Sequence, residues 1–152
     1  MSVTYASSKN VASKTNTNSE ALTTYNTWTR PADWLTLPTV GLTDQKVVGL
    51  YAVFNNGDNF VALSATVSPG NYTVDWGDGT IDTANTSGTV AQHKYDYASI
   101  SSGTLSTRGY KQVIIQVYPT TVGSSLQTIS FNQKYVNTPA LPRYNANWLD
   151  IT

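Results

Sequence analysis

Four side chains between positions 75 and 93, Asp75, Asp78, Asp82 and His93, could in principle bind a metal or move a proton. The three carboxylates are spaced three and four residues apart, whereas a calcium loop wraps one ion with oxygens from the tighter Asp-x-Asp-x-Asp-Gly pattern. They therefore read as turn formers, whose oxygens accept hydrogen bonds from backbone N–H groups close by in the chain. His93 is the only histidine, cysteine is absent, and the single glutamate, Glu20, lies far upstream. A lone imidazole with no cysteine, second histidine or nucleophile beside it supports neither a metal centre nor a triad. No catalytic, cofactor-binding or metal-ligating residue is expected, and the chain is not expected to be an enzyme.

These residues belong to a hairpin. Tyr72, Val74 and Trp76 alternate with Thr73 and Asp75 and run into Gly77-Asp78-Gly79. Period-two alternation places the two aromatics and the valine on one face, and Asp-Gly supplies the positive φ angles of a tight turn. Further strands are expected at 46–54, 59–67, 90–97, 111–118 and 125–135. The first is apolar on both faces, with Val48, Leu50, Ala52 and Phe54 on one and Val47, Tyr51 and Val53 on the other. It should be covered on both sides, by an opposing sheet and by residues 28–37 or a neighbouring subunit. In 59–67, Phe60, Ala62 and Leu63 are expected inward. Residues 55–58 and 68–71 read as turns, 84–88 as a polar loop and 99–108 as an exposed, mobile Ser-rich loop. Val113, Ile115 and Val117 mark a central core strand that Pro119 ends. A slip in the alternation near Leu126 predicts a bulge or an edge position. Beyond residue 135, Pro139 and Pro142 interrupt regular structure, and Trp148-Leu149-Asp150-Ile151 is a last apolar segment.

The stretch Val-Asp-Trp-Gly-Asp-Gly-Thr at 74–80, followed by His93-Lys94-Tyr95 and by Gly109-Tyr110 leading into Val-Ile-Ile-Gln-Val at 113–117, resembles the PKD (polycystic kidney disease) domain. The resemblance implies an all-β, immunoglobulin-like β-sandwich serving adhesion or spacing. It implies structural roles for Trp76, Gly77, Asp78, Gly79, His93 and Tyr95, with the His93 imidazole bridging backbone groups beside the Trp76 hairpin. A wider resemblance takes in residues 25–35, 46–54 and 147–151. It is to the N-terminal part of large surface or virion proteins of aquatic bacteriophages and some bacteria, which often carry leucine-rich surface repeats.

Composition bounds the partners. Only 12% of residues are charged and the formal net charge is zero, so no basic field gathers nucleic acid or an anionic membrane surface. No stretch approaches the roughly 20 apolar residues of a membrane span. The start of the sequence lacks the apolar core of a secretory signal, which favours a virion protein released by lysis over an exported one. A chain of this length can bury about two-thirds of its unfolded surface. Of residues 1–27, 15 are Ser, Thr or Asn, too polar for a core, and they read as an extended arm or a disordered leader. The division expected is thus 1–27 arm, 28–45 irregular aromatic segment packing on the sandwich, and 46–152 sandwich.

Trp28 and Trp34, interrupted by Pro31, could form a glycan-stacking platform with Tyr51 and Tyr118, but large apolar anchors pinning an irregular segment explain them better. Asn71-Tyr72-Thr73 and Asn85-Thr86-Ser87 are N-glycosylation sequons, which matter only where a transferase meets the chain. The expected function is a non-enzymatic, self-assembling virion component: a tail fibre, head fibre or decoration. It would pair with itself through the arm, with other virion or surface proteins, and with host-surface glycans. The alternatives are a bacterial extracellular filament or adhesin subunit, and a carbohydrate-binding module.

Overall fold

A computed structural model describes residues 28–55, 59–136, 143–144 and 147–152. The chain divides into two compact units, Met1–Ala32 and Asp33–Thr152. The arm assigned to residues 1–27 lies outside the described residues, as do most of the turn at 55–58 and both Pro139 and Pro142. Of the first unit only 28–32 are described, and Trp28 there is 70% exposed.

The second unit is all-β. Its strands are β1 (Val47–Val53), β2 (Phe60–Ser68), β3 (Asn71–Asp75), β4 (Ile81–Thr86), β5 (Val90–Lys94), β6 (Lys111–Pro119), β7 (Ser125–Ser130), β8 (Lys134–Tyr135), β9 (Arg143–Tyr144) and β10 (Trp148–Ile151). They form a five-stranded sheet in the order β10-β1-β6-β3-β4, a three-stranded sheet β5-β2-β7 and the pair β8-β9. Every pairing is antiparallel. Among the described residues the only helical pieces are two single 3-10 turns, Tyr97–Ser99 and Ser102–Thr104.

One buried cluster draws on both larger sheets. Tyr51, Val53, Tyr72, Val74, Val113, Ile115 and Val117 come from the five-stranded sheet, and Val61, Leu63, Ala65, Val67 and Ala91 from the three-stranded one. β6 sits between β1 and β3, with Val113 opposite Tyr51 and Val117 opposite Val74. That central position explains why Val113, Ile115 and Val117, at every second residue, are all buried. β1 is buried on both faces, since Val48, Leu50 and Ala52 are also fully inaccessible. Near Ala52 the outer face is strapped by residues 33–35. Gln112, paired with Ala52, donates from Nε2 to the Asp33 carbonyl at 2.9 Å and accepts the Leu35 N–H at 3.0 Å.

Several expectations are corrected. In β2 the core face is Val61, Leu63, Ala65 and Val67, while Phe60 and Ala62 lie on the opposite face, Phe60 stacked on Tyr135 at 5.0 Å. Apolar residues occupy both faces at 60–63, so alternation there does not fix the phase. Residues 84–86 continue strand β4 instead of forming a loop; Ala84 takes a φ of 62° where the pairing shifts. β4 is an edge strand and needs no apolar face, so its polar sequence hid it. The segment 99–108 is not simply an exposed loop. Ile100 and Ser106 are buried, and the Asp33 carboxylate accepts the Thr107 N–H and hydroxyl, both at 2.7 Å. β5 ends at Lys94 and β7 at Ser130, both short of the expected ends. At Leu126 the pairing with β2 shifts by a residue on an edge strand, so the slip in the sequence reflects both a bulge and an edge.

Candidate functional site

The site is built outward from β3, whose alternation carries Tyr72, Val74 and Trp76 into the buried cluster. Immediately after Trp76 the chain reverses, with Gly77 and Gly79 at φ of 78° and 95°. A side-chain carbon at Gly77 would also collide with the Ile114 backbone of β6. Conformation and close approach both require glycine there. The Trp76 N–H donates to the Thr80 carbonyl at 3.0 Å. Asp75 Oδ1 accepts the Gly77 N–H at 2.9 Å and Asp78 Oδ1 the Thr80 N–H at 3.0 Å, each bonding two residues onward as aspartates do in turns. Asp82 Oδ2 accepts the indole Nε1–H of Trp76 at 2.9 Å, which satisfies the one polar group of a fully buried ring.

β5 then brings His93 alongside. Its Nε2 lies 2.7 Å from Asp78 Oδ2, with the two side chains 16% and 13% exposed. The imidazole stacks on Trp76, with centroids 5.2 Å apart and planes 15° from parallel, and meets Tyr95 edge-on at 4.6 Å. The Tyr95 hydroxyl donates to the Trp76 carbonyl at 2.8 Å. The partner of His93 Nε2 is thus a carboxylate, not the backbone bridge implied by the resemblance. Asp78 has one oxygen engaged by its own turn and turns the other toward β5. Burial pushes the Asp78 carboxyl up, but the hydrogen bonds from His93 and Thr80 outweigh it and hold it below the usual carboxylate range. Burial drives the Tyr95 phenol well above its ordinary value, and the charges of Asp78, Tyr51 and Asp75 add to this.

Chemically, the cluster is committed to its own contacts. A cavity of about 250 Å³ adjoins Asp78 and includes Ser99 and Ser101 in its lining. Ser99 donates its hydroxyl to Asp96 and Ser101 accepts the Gly103 N–H, so neither is shown bonded to His93. Among the described residues no group of three or more His, Cys, Asp or Glu is placed to hold a metal ion.

The stacking candidates are not assembled into a platform within the second unit. Tyr51 is 1% exposed and its hydroxyl donates to the Phe60 carbonyl. Trp34 is half-buried and its indole N–H donates to the Tyr110 hydroxyl at 2.8 Å. Tyr118 lines a separate shallow cleft of about 320 Å³ with Lys46 and Ser124. At the second sequon, Asn85 Nδ2 already donates to the Asp82 and Tyr72 carbonyls at 3.1 and 3.4 Å, and the Ser87 hydroxyl is tied to the Val67 backbone. At the first, Asn71 is half-buried and Thr73 is buried against Thr120.

No family model, curated protein or solved structure matches this chain. The cluster must therefore be read from its geometry. Sequence reasoning missed Gln112, fully buried under residues 33–35, and the Asp33 anchor; no local pattern in the sequence marks either. It also missed Lys111, whose ammonium donates to the Tyr97 and Ile100 carbonyls at 2.9 and 2.7 Å and lies 4.4 Å from the Tyr97 ring centroid.

Proposed function

We propose that the chain is a non-enzymatic structural and adhesion protein, a PKD-like β-sandwich with an N-terminal arm, working as a self-assembling component of a virion fibre or decoration. The observation that carries the non-enzymatic reading is the use of every reactive side chain of the hairpin in holding it: Asp75, Asp78, Asp82, His93 and Tyr95 all bond within the cluster. The sandwich reading is supported by two antiparallel sheets feeding one buried cluster, and the virion reading by the motifs at 25–35, 46–54 and 147–151. Low charge and abundant hydroxyl and amide side chains suit surfaces that pack against copies of themselves, and residues 1–27 supply an arm able to add to a sheet edge of another copy. Negative-stain electron microscopy of the purified full chain tests this. Discrete oligomers or short fibres are expected; a monodisperse monomer at every concentration would overturn the assembly role.

A further inference from the structure

Among the described residues the two larger sheets end in four edges, β10 and β4 on one and β5 and β7 on the other. Unpaired edges recruit foreign strands, and bulges are one means of blocking this. Three of the four edges are irregular in their pairing: β10 against β1 near Leu50, β4 against β3 near Val74, and β7 against β2 near Val67. β5 alone runs in unbroken register, from Phe60 opposite Lys94 to Ser64 opposite Val90.

The hydrogen-bond phase shows which groups of β5 face outward. Tyr95 N–H donates to the Asn59 carbonyl, so with alternation His93 and Ala91 also point their backbone groups at β2, and Lys94, Gln92 and Val90 point theirs away. We propose that this edge is an interface between two copies of the chain, with β5 pairing antiparallel to β5 of a second copy about a two-fold axis at Gln92. The proposal rests on the self-assembly reading and adds to the arm a second contact, made by the folded sheet itself.

The sequence Val90-Ala91-Gln92-His93-Lys94 is self-complementary in that register. Val90 faces Lys94, Ala91 faces His93, and Gln92 faces its own copy, so the outward-facing residues meet only one another, as antiparallel hydrogen-bonded pairs require. No two like charges are opposed. The aliphatic stem of Lys94 would cover Val90, which is 46% exposed. Gln92 holds Val136 on the outer face through two 3.0 Å bonds to its backbone. Val136 is 51% exposed, and the axis would bring the two Val136 side chains to flank it, adding apolar contact to backbone pairing.

The register makes a charge test possible. Val90→Glu would set a carboxylate opposite Lys94 twice per interface, and Val90→Lys would set ammonium against ammonium. Both changes are at an exposed position at the start of a strand. Sedimentation equilibrium of the full chain should show a dimer that tightens roughly threefold to tenfold in Val90→Glu and weakens comparably in Val90→Lys, given the usual strength of cross-strand charge pairs. Assembly that is unchanged in both variants, or shifted the same way by both, would overturn this pairing while leaving self-assembly standing. Loss of the dimer on deleting residues 1–27, with no response to either Val90 variant, would assign the contact to the arm alone and also overturn it. A parent chain that stays monomeric would remove both readings together.

Discussion

The Trp76 hairpin and the Gln112 strap solve the same problem, the burial of polar groups beside β6, at opposite extremes of chain separation. In the hairpin, Asp75, Asp78 and Asp82 bond partners two to six residues away, and His93 and Tyr95 reach back only 15 and 19. In the strap, Gln112 binds residues 33 and 35, across 79 and 77 positions. Local bonding lets a turn form with little loop-closure cost, whereas the strap can form only once the sheet has brought its parts together. The hairpin should therefore govern whether the sheet forms, and the strap how firmly its outer face is closed.

Trp76→Ala should strike the hairpin hardest. It empties a fully buried ring site and orphans the Asp82 carboxylate, with an expected loss of about 3–5 kcal/mol, measured by urea unfolding. A loss near zero would erase the contrast with the strap. Gln112→Ala should cost less, about 1–3 kcal/mol, because it leaves the Asp33 carbonyl and the Leu35 N–H without their partner. Equal losses in the two variants would show the strap to be as central as the hairpin.

Protons separate the regions further. Burial raises the phenols of Tyr51, Tyr72 and Tyr95 above 10.0. The unfolded chain then loses protons first, so stability present below about pH 10 falls as pH rises above it. Asp78 has the opposite sign. Its carboxyl lies below 3.8, so its contribution holds above that pH and is lost as pH falls through the folded value. Asp78→Asn should flatten the acid limb measured by pH-dependent melting, while Gln112→Ala, which removes no titrating group, should change it less. The smallest expected effect is from chelation: melting curves with calcium and with a chelator should coincide, because the hairpin carboxylates bond protein groups. A large gap would mean that they hold an ion.

Legibility followed the same division. The turn at 77–79 was readable because Gly77 and Gly79 are demanded by the backbone itself, and the core strand at 111–118 because Val113, Ile115 and Val117 recur at every second residue and all enter the buried cluster. The edge strand β4 was not readable, since none of its residues is fully buried and its sequence obeys no apolar period. The phase of β2 was lost where Phe60, Val61, Ala62 and Leu63 are all apolar. The carboxylates were legible as turn formers, but the second bond of Asp78 to His93 was not, because it depends on β5 lying beside the turn. Gln112 and Asp33 were invisible for the same reason, as no local pattern records a partner more than 70 residues away.

A double-mutant cycle shows whether the Asp78–His93 pair is spent on folding. Asp78→Asn, His93→Gln and the double variant would be unfolded in urea at pH 7. Each single change should destabilise the chain, with a coupling of about 0.5–3 kcal/mol between them. Single variants as stable as the parent, with no coupling, would contradict this and leave the pair free for another role.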